Sequence, residues 1–317
     1  MPQSRRTFIK QIGLTAGSLS FLPTWSFASS ELENSFKLSL NPGAIGVSLT
    51  NQELIETAIK YGFQAIVPSP YEFKDYSNAQ IIAYKDALRN NDLIIGAVGL
   101  PVQFRESDKK FDSDYRTLVS MLPKLGQLGI SRMTTWIMPT HDKLNYEQNM
   151  ALHASRLRAV AKELAQYNMK LGLEYVGPKT LKESKKYPFV SNMKEVKQLI
   201  NVIGESNVGL QLDAFHWFCA GESEKDLLSL KAEEIITVDL NDAKAGRSRI
   251  EQLDWERELP TDSGVIDLKV FLSALKEIGY DGPMRAEPFN NELNNMEDQV
   301  ALAKTKQSLE TAMQLID

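Results

Sequence analysis

The sequence predicts an α/β protein whose core is a (β/α)8 barrel, a closed ring of eight parallel strands surrounded by helices. From Lys37 onward, short β-prone runs alternate with longer segments of helical periodicity, which is typical of repeated βα units. Four successive later strands end in acidic residues, and a barrel would bring these to one mouth. An open doubly wound sheet would spread them along an edge, and no glycine-rich phosphate loop follows the first strand. The 317 residues fit one such domain.

The individual elements follow from hydrophobic periodicity and from signals at helix ends. Asn51 and Asn78 are suitable N-caps, and glycines that suit C-caps follow three helical segments, at positions 62, 129 and 279. The predicted strands span residues 37–48, 65–69, 93–100, 132–138, 170–176, 208–213, 235–241 and 283–287. The predicted helices span residues 51–61, 78–90, 112–128, 146–167, 192–203, 224–230, 267–278 and 292–315.

The N-terminus has the features of an export signal. The twin arginines Arg5 and Arg6 precede an apolar stretch over residues 12–22, and small residues mark a cleavage site after Ala28. This pattern predicts a twin-arginine (Tat) signal peptide over residues 1–28. An uncleaved membrane anchor is the alternative, but the apolar stretch is shorter than the roughly 20 residues that span a bilayer.

The predicted signal peptide implies a domain boundary and a location for the mature protein. It leaves one barrel domain over residues 29–317, placed in the periplasm or otherwise exported, with no stable membrane insertion after cleavage. The twin-arginine route carries folded proteins, so a metal could be bound before export, because metal binding and folding are coupled.

Composition restricts the classes of partner. A formal net charge of −5 and the lack of long basic runs argue against a nucleic-acid partner. The single cysteine, Cys219, excludes an intramolecular disulfide and suits a partly buried apolar position. Composition leaves open whether the protein forms homo-oligomers.

The acidic strand ends predict a metal site. Clustered carboxylates repel one another unless a cation compensates them, and carboxylates from separate strands are suitable ligands for a divalent ion. Among the histidines, His216 follows Asp213 by three residues and is placed to contact a substrate hydroxyl or the metal. His141, in the loop after the fourth strand, is a second candidate for substrate contact, whereas His153 lies within a helix and is expected to be structural. The four acids are Glu174, Asp213, Asp239 and Glu287.

Several motifs make the chain similar to the sugar phosphate isomerase/epimerase family, which has a xylose isomerase-like TIM barrel. The motifs occur in the family's order as LEYVGP, LQLDAFH, VDLNDA, GVIDL followed by IGYDGP, and RAEPF. The resemblance implies one manganese, magnesium, cobalt or zinc ion held by Glu, Asp, His and Glu, which correspond here to Glu174, Asp213, position 239 and Glu287. The usual VHxND motif reads VDLND in this chain, so Asp239 replaces the histidine. An all-carboxylate site favours manganese or magnesium over zinc.

The resemblance also implies a reaction, in which the metal polarises a sugar carbonyl and carboxylates exchange a proton with the adjacent carbon. Glu174 and Glu287 are then the acid/base pair, the two aspartates are ligands only, and His216 steadies a substrate oxygen. Trp136, and Trp255 in the long polar connection over residues 243–264, are candidate walls of the substrate site. The expected function is an isomerase or epimerase of a small carbohydrate.

Three other functions start from the same sequence features. A lyase or dehydratase acting on keto-sugars, keto-glycosides or inososes would begin with the same proton abstraction. A non-catalytic, periplasmic sugar-binding barrel would not need both glutamates. A nuclease of the related barrel family conflicts with the acidic charge, the export signal and the presence of only three histidines.

Overall fold

The computed structural model describes residues 36–317, so the predicted signal peptide and the start of the predicted barrel domain lie outside the described residues. In the described part of the chain, nine parallel strands form one sheet, and these are β1 (Lys37–Leu40), β2 (Ala65–Ile66), β3 (Ile94–Ile95), β4 (Val98–Gly99), β5 (Arg132–Ile137), β7 (Lys170–Tyr175), β9 (Val208–Asp213), β10 (Ile235–Leu240) and β11 (Pro283–Ala286). Their order in the sheet is β3-β2-β1-β11-β10-β9-β7-β5-β4. A separate antiparallel ribbon contains β6 (Thr140–His141) and β8 (Tyr187–Pro188).

The two ends of the strand order, β3 and β4, are neighbours along the chain, and the sheet thereby forms a nearly closed barrel. The predicted third strand, residues 93–100, is thus one interrupted strand, with β3 paired to β2 and β4 paired to β5. The interruption contains Gly96, where a Cβ would lie 2.7 Å from Ser39 Oγ. A residue without a side chain is needed at this close approach. The prediction of a (β/α)8 barrel is confirmed.

Helices connect the strands and cover the outside of the barrel. In α4 the buried residues Leu157, Val160, Ala161 and Leu164 repeat at helical spacing, as the sequence periodicity predicts. The helices are α1 (Asn51–Tyr61), α2 (Asn78–Asn90), α3 (Asp108–Gln127), α4 (Tyr146–Ala165), α5 (Lys179–Lys182), α6 (Met193–Ile203), α7 (Ala214–Ala220), α8 (Glu224–Leu228), α9 (Leu268–Glu277), α10 (Asn291–Asn294) and α11 (Asp298–Met313). Within the described residues, no helix has the length and apolar character needed to cross a membrane.

Helices α1 and α2 begin at the predicted residues, but their N-caps lie one residue earlier than predicted. Thr50 and Ser77, rather than Asn51 and Asn78, are the N-caps of α1 and α2, and each closes a capping box with the third residue of its helix. The Asn51 amide instead links α1 to the loop after β2, because it donates to Ser69 O at 3.0 Å and accepts from Ser69 N at 2.8 Å. The three predicted C-cap glycines have positive φ, as expected.

Several element boundaries also differ from the prediction. Strand β1 ends at Leu40 rather than at residue 48, because Pro42 lacks a backbone N–H and begins the 3-10 turn Pro42–Ile45. Helix α3 begins earlier than predicted, with Ser107 as its N-cap. The last predicted helix, residues 292–315, is divided into α10 and α11.

Candidate metal and catalytic site

The four predicted acids meet at the C-terminal mouth of the barrel. They extend from the ends of β7, β9, β10 and β11, and one carboxylate oxygen of each lies within 4.8 Å of the others. Sheet register explains this, since Asp239 is the cross-strand partner of Asp213 on one side and of Arg285 on the other. The convergence that the sequence predicted is therefore present, and all four side chains are buried or nearly so.

Both aspartates already accept several hydrogen bonds. Asp213 Oδ1 caps α7 by accepting from His216 N at 2.8 Å, and its Oδ2 accepts from Asn241 Nδ2 at 2.9 Å and Arg257 Nη1 at 3.0 Å. Asp239 Oδ2 accepts from Gln211 Nε2 at 2.6 Å and from Arg285 Nη2 at 3.1 Å. Its Oδ1 accepts from Arg285 Nε. Each aspartate therefore has an arginine partner.

The two glutamates have few partners. Glu174 Oε1 is buried and makes no hydrogen bond within residues 36–317. Glu287 has only long contacts of 3.5 Å, from Oε2 to Arg257 Nη1 and from Oε1 to Arg285 Nη2. Burial, followed by repulsion from the other three acids, raises the pKa of Glu174 well above its usual range. Burial, followed by the charge of Asp239, raises the pKa of Glu287 to about 8.

The two arginines are among the site residues that the sequence analysis missed. Arg285 precedes Glu287 by two residues, so strand periodicity places both on one face of the barrel, and this signal could have identified it. Arg257 comes from the long connection between β10 and α9, where no periodicity predicts a direction. Burial alone would lower the pKa of Arg257, but Asp213 and Asp254 raise it above its usual value.

The long connection over residues 243–264 is held in place by its own contacts. The Asp242 carboxylate accepts hydrogen bonds from four backbone N–H groups at 2.6 to 3.0 Å. The backbones of Asp242 and Glu258 exchange two further bonds, both 2.8 Å long. This framework places Asp254, Trp255 and Arg257 at the barrel mouth, where the sequence analysis expected Trp255.

His216 lies at the wall of the site. Its Nδ1 lies 3.3 Å from Gly177 N and its Nε2 lies 3.3 Å from Arg257 Nη2, and since both neighbours are N–H donors, the neutral ring accepts from only one of them. Nε2 lies 3.7 Å from both Glu174 Oε1 and Asp254 Oδ1. Burial lowers the pKa of His216, which favours this neutral form. A neutral imidazole that lines the cavity suits contact with a substrate oxygen.

A cavity of about 560 Å³ opens above the acids and contains most of the predicted site residues. Trp136 and Trp255 are 42% and 52% exposed, and they provide apolar wall surface. His141 is not among the lining residues, because it lies in the β6–β8 ribbon, where Nδ1 accepts from the backbones of Lys143 and Leu144. The lining includes Asn41, Thr134, Trp136, Glu174, Gln211, His216, Asp254, Trp255, Arg257, Arg285, Glu287 and Phe289.

The other histidine and the cysteine lie away from this chemistry. His153 is buried in α4 with Nδ1 2.9 Å from Asn149 O, and burial lowers its pKa to about 3, in agreement with a structural role. Cys219 is partly buried near the end of α7, and burial raises the pKa of its thiol to about 12. A thiolate nucleophile is therefore not favoured at Cys219.

The donor set fits a divalent cation. Oxygen atoms from four carboxylates converge, and the two guanidinium groups beside them leave an excess of negative charge. The buried Glu174 Oε1 has no partner in the described chain, although an unpaired buried carboxylate oxygen is unfavourable. A cation at this point would satisfy that oxygen and reduce the repulsion.

The raised carboxyl pKa values predict a pH dependence of stability in the metal-free protein. Because Glu174 and Glu287 bind protons more tightly when folded than when unfolded, the free energy of unfolding should fall as pH rises from about 5 to about 8. Thermal unfolding in EDTA across this range measures the effect. Glu287→Gln should flatten the decline, and a wild-type midpoint that rises with pH would contradict the prediction.

The comparisons with known proteins identify the family. Residues 55–312 match the family described as "Xylose isomerase-like TIM barrel". The chain belongs to this family. An inosose isomerase of Bacillus velezensis is 24% identical over 286 residues, which cover 87% of this chain and 97% of that protein. A 3-dehydroshikimate dehydratase of Pseudomonas aeruginosa is 28% identical over 143 residues, but these cover only 44% of this chain and 21% of that protein.

Solved structures of xylose isomerase-like barrels agree with the fold. A xylose isomerase domain protein from Alicyclobacillus acidocaldarius has a TM-score of 0.78 and 27% identity, covering 88% of this chain and 99% of its own. The IOLI protein, solved with a bound zinc atom, has a TM-score of 0.73 and 22% identity, covering 87% of this chain and 98% of its own. The second likeness shows the shared fold alone.

Proposed function

We propose that this protein is a divalent-metal-dependent isomerase or epimerase of a neutral keto-sugar or related cyclic polyol ketone. The observation that carries the proposal is the pair of glutamates with few partners, Glu174 and Glu287, on strands separated by β9 and β10 and facing one cavity. Two proton-transfer groups on different walls suit a reaction that removes a proton at one face of a carbon and returns one. The similarity to an inosose isomerase supports the same class.

A single divalent ion would complete the site. The candidate ligands are Glu174, Asp213, Asp239 and Glu287, and oxygen donors favour manganese or magnesium, with cobalt or zinc as alternatives. When bound, the cation supplies positive charge that polarises a carbonyl group and stabilises the negative charge formed by proton removal.

The side chains of the chain itself would perform the proton transfers. One glutamate, as carboxylate, takes the proton from the carbon next to the carbonyl, and the other, as carboxylic acid, donates a proton to the opposite face. The raised pKa values of both groups suit this exchange, because a carboxyl group whose pKa is raised retains its proton at a pH where an ordinary carboxyl group has lost it. The His216 imidazole and the guanidinium groups can orient substrate oxygens.

The charge of the cavity favours an uncharged substrate. Arg257 and Arg285, the two arginines that line it, are already paired with Asp213, Asp254 and Asp239, so a sugar phosphate would meet an acidic surface without an unpaired cationic side chain. Exposed tryptophan rings suit the C–H faces of a sugar. We therefore assign the substrate to free carbohydrates rather than to phosphorylated ones.

A lyase is the second candidate, because elimination of a β-substituent starts with the same proton abstraction. The partial similarity to a dehydratase favours this alternative. Product analysis separates the two reactions. Loss of water or of a glycosyl group with a new enone absorbance would indicate the lyase, and an isomer of unchanged mass would indicate the isomerase.

The experiment that tests the function is exchange of solvent deuterium into keto-sugars and inososes. The metal-loaded protein should exchange the hydrogen next to the carbonyl, and the EDTA-treated protein should not. Sugar binding in calorimetry, with no exchange in the presence of any of the four metals, would instead support the non-catalytic binding barrel.

Export through the twin-arginine pathway is a further proposal, supported by Arg5, Arg6 and the following apolar stretch. Wild-type protein should be found in the periplasmic fraction with Ser29 as its first residue. The double substitution Arg5→Lys and Arg6→Lys should leave full-length protein in the cytoplasm, whereas Lys10→Arg should be exported normally. Cytoplasmic retention of the wild type in a host with this pathway would refute the assignment.

A further inference from the structure

The two aspartate–arginine pairs of the site are held by different kinds of structure. Arg257 reaches Asp213 from the connection between β10 and α9. Arg285 lies on barrel strand β11, directly across from Asp239 on β10. The first pair thus joins a strand to a loop, whereas the second joins two adjacent strands whose register is set by backbone hydrogen bonds.

Asp239 is fixed from both of its neighbouring strands. On the β11 side Arg285 donates to both carboxylate oxygens, and on the β9 side Gln211 Nε2 donates to Oδ2 at 2.6 Å. Asp239 is fully buried and Arg285 is only 6% exposed. An Asp239 oxygen already lies within 4.8 Å of the other carboxylates, but a cation bound there would compete with the donors from Arg285 and Gln211 that occupy both Asp239 oxygens.

Arg285 retains an unused hydrogen-bond donor at the site. Its Nη2 lies 3.5 Å from Glu287 Oε1, and its Nη1 makes no hydrogen bond within residues 36–317. The side chain also lines the cavity. Arg285 can therefore orient Glu287 and donate from Nη1 to a substrate oxygen.

We infer that Asp239 is a positioning residue for Arg285 rather than a metal ligand, and that the cation is held by Glu174, Asp213 and Glu287. This inference rests on the proposed metal-dependent function. Charge supports the assignment, because Arg285 compensates the Asp239 carboxylate, whereas Glu174 Oε1 has no partner in the described chain and Glu287 has only contacts of 3.5 Å.

The test is Mn²⁺ binding, measured by calorimetry on metal-free wild type, Asp239→Asn, Arg285→Gln and the double variant. Asp239→Asn should weaken binding by about tenfold or more, because the unpaired Arg285 charge repels the cation. The double variant, in which the net charge of the site is restored, should bind within about threefold of wild type. Arg285→Lys, which keeps the charge, is the milder variant and should also bind close to wild type.

If Asp239 is instead a ligand, the double variant lacks that ligand, so its affinity stays about tenfold or more below that of wild type although the net charge of the site is restored. That result overturns the assignment. Thermal unfolding of the four metal-free proteins gives a second test, in which the double variant should recover stability that each single variant loses. Failure of wild type to bind any of the proposed metals would instead refute the proposed function, which separates the two failures.

Discussion

Replacement of either Glu174 or Glu287 by glutamine should reduce deuterium exchange and turnover by about 100-fold to 10,000-fold, the usual contribution of a general acid or base. Glutamine preserves the shape of the side chain but cannot take up or release the proton. Both groups lie in the cavity with raised pKa values, and neither has a close hydrogen-bond partner that would suggest a purely structural role. Exchange assays with saturating Mn²⁺ measure the effect.

The two variants allow the roles of metal binding and proton transfer to be separated. Each glutamate is also a candidate ligand, so Mn²⁺ affinity must be measured on the same samples. Glu56→Gln, an exposed helix position away from the site, is the matched control and should retain full activity. Wild-type exchange rates in both glutamine variants, with metal bound, would exclude this pair as the proton-transfer groups.

Arg257→Met should destabilise the metal-free protein by about 3–5 kcal/mol, the cost of removing one partner from a buried ion pair. Arg257 is 1% exposed and is the only arginine that contacts both Asp213 and Asp254 in the described chain. Methionine keeps much of the length and apolar surface but leaves the fully buried Asp213 carboxylate without its cation. Urea unfolding in EDTA measures the change.

The same loop offers a matched control. Arg247 pairs with Glu256 while both side chains are about one third exposed, so Arg247→Met should change stability by less than about 1 kcal/mol. Mn²⁺ should also reduce the deficit of Arg257→Met, because the cation compensates Asp213 in place of the guanidinium. An effect of Arg257→Met as small as the one expected for Arg247→Met would show that the Arg257 pairs contribute little to stability.

Most of what the sequence determined came from patterns among residues that are close together in the chain. Alternating β and helical periodicity predicted the barrel, because each βα unit must bury one face and parallel strands need long crossover connections. Strand ends of a barrel share one mouth, so the pattern of strands was enough to place Glu174, Asp213, Asp239 and Glu287 together. His216 could be placed beside them because it follows Asp213 by only one helical turn.

Contacts between distant segments were decided only by the tertiary structure. Periodicity says nothing about the direction of a long connection, so the entry of Arg257 from residues 243–264 and the turning of His141 into the β6–β8 ribbon could not be predicted. The pairing of Asp239 with Arg285 depends on the register between β10 and β11. The sequence alone determined which four acids lie together. Only the tertiary structure determined that two of them form ion pairs with arginines, because strand register and loop path are set by packing across the whole barrel.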